Sequence, residues 1–280
     1  MKRLYALITW VLISTGVLAQ SSLPVVSVLP FGGRGNSDQA KSAITTGLTR
    51  SRRIRIVDRQ TLDNVLKEQR ITTTELFKDN TTIIRTGQLT GAQYVLEGTV
   101  TAVNYGNERI GDKYYNTCSV AVELRLTDIE SGLSETKLIR GGVRSEGRVE
   151  ESNALATLVN DAEMFARERF PASMQILEVL EANDKKGIIS FRVEGEGLTA
   201  KRPMGAGYFD FGGRTQIRIT SSRELTRPDG SKRTINEEVA LAKIKTVEDG
   251  GTAICTVSDG GKKLQELWDK KAPLTLKTTN

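Results

Sequence analysis

Residues 23–48 read LPVVSVLPFGGRGNSDQAKSAITTGL, and two periodicities meet inside that stretch. Leu23 to Phe31 is almost continuously apolar, the pattern of a strand buried on both faces. Gly32-Gly33-Arg34-Gly35-Asn36 breaks the run, and Ser37 stands where a helix cap is wanted. Ala40, Ala43, Ile44, Gly47 and Leu48 then recur at helical spacing, giving one apolar face. Working outward, Arg53 to Val57 predicts a second short strand. Asp58 can cap a second helix that carries Leu62, Val65 and Leu66 on one side. Asn80 opens a third helix through Ile83, Ile84 and Leu89, closed by Gly91, and Tyr94 to Val103 reads as a third strand. This β-α-β-α order favours an α/β layer over an all-β sandwich.

From Cys118 to Leu126 the alternation is clean. Cys118, Val120, Val122, Leu124 and Leu126 share one face, opposite Ser119, Glu123 and Arg125. Asp128 to Gly132 predicts a hairpin turn, with Thr136 to Val143 as the returning strand. Leu155, Leu158, Val159, Ala162, Phe165 and Ala166 then mark a long amphipathic helix; Pro171 stops or kinks it, and Ala172 to Leu180 can extend the helical pattern beyond. Asn183 to Gly187 (NDKKG) is a polar break, after which short strands and turns dominate, including a turn at Pro228-Asp229-Gly230. Leu264 to Trp268 fits one helical turn. The expected organisation is a leader over residues 1–19, an α/β domain over 20–182, and a small β-rich module over 187–280, the last a partly open barrel.

Composition removes whole classes of chemistry. With no histidine, Ser-His-Asp and Cys-His catalysis and nearly all zinc sites fall away. Two cysteines, Cys118 and Cys255, cannot build a Cys-rich metal site, and each is expected to be an unpaired, buried thiol. The glycine loop after Phe31 lacks the Lys-Ser/Thr of a P-loop and the GxGxxG spacing, so it reads as a turn. No catalytic, cofactor-binding or metal-binding residue is therefore assigned, and the expectation is a protein that is not an enzyme. Arg50, Arg52, Arg53, Arg55 and Arg59 alternate with Ile54, Ile56 and Val57, which reads as the end of a helix running into a strand with solvated Arg on one face and not as a nucleic-acid stripe.

Met1-Lys2-Arg3 followed by the apolar Leu4 to Leu18 and by Val17-Leu18-Ala19 has the three parts of a secretory signal, with cleavage expected between Ala19 and Gln20. The apolar run is about 15 residues, short of the roughly 20 that span a bilayer. Without Lys2 and Arg3 the chain keeps 38 basic and 34 acidic residues, net +4. The expected compartment is the periplasm, in solution or peripheral to the outer membrane.

Six stretches in order carry a family resemblance: Val25 to Phe31 (VVSVLPF), an Ala-rich helix, Ile54 to Arg59 (IRIVDR), Leu62 to Gln69 (LDNVLKEQ), Thr90 to Thr101 (TGAQYVLEGTVT) and Val122 to Gly132 (VELRLTDIESG). Together they resemble the CsgG family of curli secretion lipoproteins over roughly residues 24 to 170. The resemblance implies helices packed on a small mixed sheet. In the curli pore two hairpins per subunit enter an outer-membrane barrel. Here the corresponding segments, Asn104 to Asn116 (NYGNERIGDKYYN) and Arg140 to Asn153 (RGGVRSEGRVEESN), are charged and lack apolar alternation, so no direct membrane insertion is expected. No lipidated cysteine follows the leader. The resemblance thus implies a soluble, non-enzymatic accessory or adaptor protein that binds other envelope proteins in assembly or curli-type export. The alternative it leaves open is an LpoB-like activator of a penicillin-binding protein in peptidoglycan synthesis, although the lipobox and Pro-rich tether of such activators are missing. The two differ in partner, export machinery or peptidoglycan synthase; the binding face and oligomeric state are open.

Overall fold

The computed structural model describes residues 23–68, 80–198, 202–204, 207–209, 215–226, 231–248 and 251–279. The leader with its Ala19/Gln20 junction and the Pro228-Asp229-Gly230 turn lie outside the described residues. The chain is mixed α/β: an open sheet with helices, then a closed barrel.

The first strand β1 (Val25–Val28) is central, as its apolar run requires. It pairs in parallel with β3 (Arg55–Ile56) on one side and with β4 (Tyr94–Ile110) on the other. Strand β5 (Lys113–Asp128) runs antiparallel to β4, and β6 (Ser134–Ser145) closes the order β3-β1-β4-β5-β6. The two-residue β2 (Gly32–Gly33) adds to β4. Period-two alternation sends Val26, Val28 and Leu96 to one face and Leu29 and Val95 to the other. On the first face lie α1 (Ser37–Arg50) and α4 (Glu151–Arg169), through Ile44, Leu48, Leu155, Leu158 and Phe165. On the second lie α2 (Arg59–Glu68) and α3 (Asn80–Leu89), through Leu62 and Ile83. The cap of α1 is Asn36, whose side chain accepts from the Gln39 amide at 2.9 Å; Ser37, the expected cap, is the first helical residue.

The second half corrects three expectations. Ala172 to Leu180 form no helical extension past Pro171. Their place is taken by β7 (Ser173–Asn183), which pairs with β8 (Gly187–Glu194) across the NDKKG turn. The turn read as a linker is therefore a hairpin inside the barrel, and the first module does not extend to residue 182. The misreading has a cause. Bulges between Ile176 and Glu178 and between Val179 and Glu181 each insert one residue. The extra residues, Leu177 and Leu180, stand exposed, while Met174, Ile176 and Val179 turn inward. Bulged alternation of this kind mimics a helical period.

The barrel is closed and not partly open, in the order β11-β12-β13-β8-β7-β14. Its strands are β7, β8, β11 (Gln216–Thr226), β12 (Lys232–Val247), β13 (Thr252–Asp259) and β14 (Leu274–Thr279). A short pair, β9 (Arg202–Met204) with β10 (Gly207–Phe209), stands apart. Helix α5 (Gly261–Asp269) packs Leu264 into the barrel core beside Phe191, Ile217 and Ile244. Cys118 is buried in the sheet's core and Cys255 in the barrel's, and both are free thiols. Burial pushes the Cys255 thiol up to about 12 and raises that of Cys118 too. Both therefore stay protonated and act as small apolar groups.

The two units meet at a charged junction. Arg53, only 3% exposed, donates from Nη1 to Thr278 Oγ1 at 3.2 Å, and the same oxygen accepts from the Ala172 amide at 2.9 Å. The Thr278 amide returns a bond to the Ala172 carbonyl at 3.1 Å. Behind them the fully buried Glu163 takes Arg167 Nε and Nη2 at 3.2 and 2.9 Å, with Arg50 Nε at 3.6 Å. Burial, then the neighbouring Arg167 charge, lowers the Arg53 guanidinium to about 9.

Two outcomes follow from this architecture. A fragment ending at Pro171 is expected to fold, whereas one ending at Ala182 carries β7 without its barrel partners, exposes Met174, Ile176 and Val179, and aggregates; circular dichroism and light scattering on the two fragments check this. Replacing Glu163 by Ala leaves two guanidinium groups facing each other at the junction and should cost about 3–5 kcal/mol in a denaturant melt. A loss under about 1 kcal/mol would contradict that reading of the cluster.

Candidate interaction surface

Among the described residues no group of three or more His, Cys, Asp or Glu is placed to hold a metal ion. What the fold does build is a projecting ribbon. The β4–β5 ladder runs from Tyr94↔Asp128, through one bulge between Val100 and Ala102, to Ile110↔Lys113, and its far end is exposed. The third strand thus runs on to Ile110 and does not end at Val103. The 104–116 segment, expected to be charged and without apolar alternation, is a hairpin whose two arms are regular β structure. It shows no apolar alternation because neither of its faces is covered. Ladder hydrogen bonds hold it, with a two-residue turn whose first central position, Gly111, has φ +61.

Register fixes what each face presents. Tyr105, Asn107, Arg109, Tyr114 and Asn116 share the face that Val103 and Cys118 continue into the core, while Glu108, Ile110, Lys113 and Tyr115 share the other. Tyr105 is 61% exposed, Tyr114 68% and Ile110 43%. These are large apolar side chains left in solvent, the unusual observation on a folded surface. Arg109 lies over the Tyr114 ring, 5.6 Å from its centroid, and Arg144 over Tyr115 at 5.5 Å. Lys113–Glu146 at 2.6 Å, Arg144–Glu108 at 3.2 Å and Asn116 Nδ2 to the Gly147 carbonyl at 2.9 Å tie the ribbon to the end of β6 and the residues just after it.

At the root, the Asn36 amide donates to Glu151 Oε1 at 2.7 Å, so α1 and α4 begin side by side. Tyr105 reaches this corner. Desolvation, then Cys118 and Glu151, raise its phenol above the ordinary value. From Thr101 to Ile110, β4 has no strand on its other side among the described residues, since β1 and β2 leave it at Leu96 and Val100. An open edge beside exposed Tyr and Arg is the anatomy of a protein-recognition element.

The expected second insertion point, Arg140 to Asn153, holds the end of β6 and the start of α4 and projects no hairpin. No helix of the described residues is long and apolar enough to cross a membrane.

Residues 19–134 of the chain match the family model described as curli production assembly/transport component CsgG. The matched stretch takes in β1 through β5, so the similarity to that family covers the open sheet and not the barrel. Several solved structures align with the chain. Lipoprotein GNA1162 from Neisseria meningitidis is 17% identical over 49% of this chain and 94% of its own, with a TM-score of 0.35. The LpoB C-terminal domain from Salmonella enterica is 16% identical over 43% and 87%, with a TM-score of 0.31. The PelC dodecamer from Paraburkholderia phytofirmans is 18% identical over 50% and 84%, with a TM-score of 0.30. No curated protein matches the chain.

If the ribbon's side chains serve a partner and not the fold, removing them should leave stability intact. The triple variant Tyr105→Ala, Ile110→Ala, Tyr114→Ala is expected to melt within about 3 °C of the parent by circular dichroism, because all three lie on uncovered positions. A drop of about 10 °C would instead make them structural.

Proposed function

We propose that this protein is a non-enzymatic accessory or adaptor of the bacterial cell envelope, acting in envelope assembly or surface export by binding another envelope protein through the β4–β5 ribbon. The carrying observation is the exposed Tyr105, Ile110 and Tyr114 beside an open strand edge. The CsgG-family match beneath it supports the export setting, since the family description is of a curli assembly and transport component. The leader-like first 19 residues support a periplasmic location. Direct membrane insertion is disfavoured because Glu108 and Lys113 on one ribbon face and Arg109 on the other would each meet lipid at a high cost.

A photo-crosslinking amino acid at Tyr114 tests the reading, with one at Lys245 on the barrel as the comparison site. The expected outcome is a discrete adduct from Tyr114, in intact cells, to a component of an export system. An adduct to a peptidoglycan synthase would replace the export role with cell-wall regulation. Adducts from Lys245 alone would show that the ribbon is not the binding surface.

A further inference from the structure

The barrel carries a groove outside the family-matched region. It lies between β7, the end of α5 and the start of β14, a shallow depression open to solvent with a volume of about 560 Å³. Its apolar lining is Ile176, Trp268 and Leu274, all partly exposed and packed against the barrel core. Its polar lining is Gln175, Asp269 and Lys271.

Lys271 is the unusual residue. The Ala272 amide bonds to the Leu267 carbonyl and the Lys271 amide to the Trp268 carbonyl, both at 2.9 Å. That is the Schellman ending of a helix, and Lys271 occupies its left-handed position at φ +52, where glycine is the unstrained choice. A lysine kept in that conformation, with its side chain lining a groove, suggests a task beyond ending a helix. The neighbouring polar groups are held in place as well. Gln265 Nε2 donates to Asp269 Oδ1 at 2.9 Å, and Gln175 Nε2 to Glu194 Oε2 at 3.2 Å.

The charges select the ligand class. Asp269 and the carbonyl end of α5 disfavour an anion, and Lys271 disfavours a cation. What remains is a neutral molecule with one apolar face and a rim of groups that both donate and accept hydrogen bonds. A pyranose ring has that form: its C–H face suits an indole, and its hydroxyls suit a carboxylate, an amide and an ammonium together. We infer that this groove binds a neutral oligosaccharide, with Trp268 as the platform and Asp269, Lys271 and Gln175 as the hydroxyl-reading groups. The site is independent of the ribbon and of the role assigned to it above.

Trp10 and Trp268 are the only tryptophans. In the full chain carrying Trp10→Phe, emission therefore reports the groove alone. Cellohexaose and hexa-N-acetylchitohexaose are the neutral probes, with hexagalacturonate and tetralysine as the charged ones, and isothermal titration serves as a second readout. The expected result is a saturable change with at least one neutral hexasaccharide at a Kd of about 1 mM or tighter. Asp269→Asn and Lys271→Gly should each weaken it about tenfold, a loss of one hydrogen-bonding contact. Lys271→Gly should do so while holding or raising the melting temperature, which separates a binding role from a structural one. No saturable response to either neutral probe, tighter binding of either charged probe, or unchanged affinity in both variants would each overturn the assignment.

Discussion

The antiparallel ladder between β4 and β5 is the constraint on which the first half of the molecule rests. Its near end is flanked by β1, so consecutive residues Val95 and Leu96 enter two different apolar clusters on opposite faces. The middle demands a residue without a side chain. The ring of Phe31 occupies the space a Cβ on Gly98 would need, and Gly33 lies equally tight against the Val100 backbone. A bulge between Val100 and Ala102 falls where β2 ends its pairing, and beyond it the ladder leaves the sheet as the ribbon. Core, bend and projection are thus consecutive parts of one pairing.

Much of this order was legible in the chain. The apolar run at residues 24–31, the helical spacing from Ala40 to Leu48 and the alternation from Cys118 to Leu126 each correspond to one element buried on the expected face. These signals are local, and burial imposes them. What escaped reading is structure whose cause lies elsewhere in the chain. Ser173 to Asn183 is rich in good helix formers and becomes a strand because β8 and β14 flank it, tertiary pairing overriding intrinsic preference. The ribbon shows no alternation because it has no covered face to impose one. The candidate surface was hidden for the same reason, since Tyr105, Ile110 and Tyr114 are chosen neither by a core nor by a turn. A visible hint was the turn itself: Gly111-Asp112 between segments rich in Tyr and Ile is a hairpin signal.

The junction shows how polar groups can set the relation between two folded units. One carboxylate, Glu163, faces guanidinium groups from α1 and from its own helix, while Arg53 passes beyond them to a hydroxyl on the barrel. Arg53 Nε and Arg167 Nη1 have no hydrogen-bond partner among the described residues. A junction of this kind is poor in net attraction and strict in geometry, because displaced guanidinium groups would be left buried without their acceptors. Gly197, at φ +69, fits against the Arg52 carbonyl at the same seam, and a side chain there would force the surfaces apart.

Closure of the barrel has a consequence in time. Strand β14 bonds to both β7 and β11, and β7 precedes it by about a hundred residues of chain. Nothing between them can form a closed ring until the segment from Leu274 to Thr279 has arrived. The sheet's own core, by contrast, is complete in sequence by Phe170. A chain delivered from its amino end can consolidate the sheet first, while β7 waits with an unpaired edge. The slow step of folding then belongs to the barrel, whose closure depends on contacts between segments distant in sequence. Thr278, on that last strand, is also the acceptor for Arg53. The bond that joins the two units therefore becomes available only when the final strand is laid down, and an unfinished chain cannot adopt the joined form.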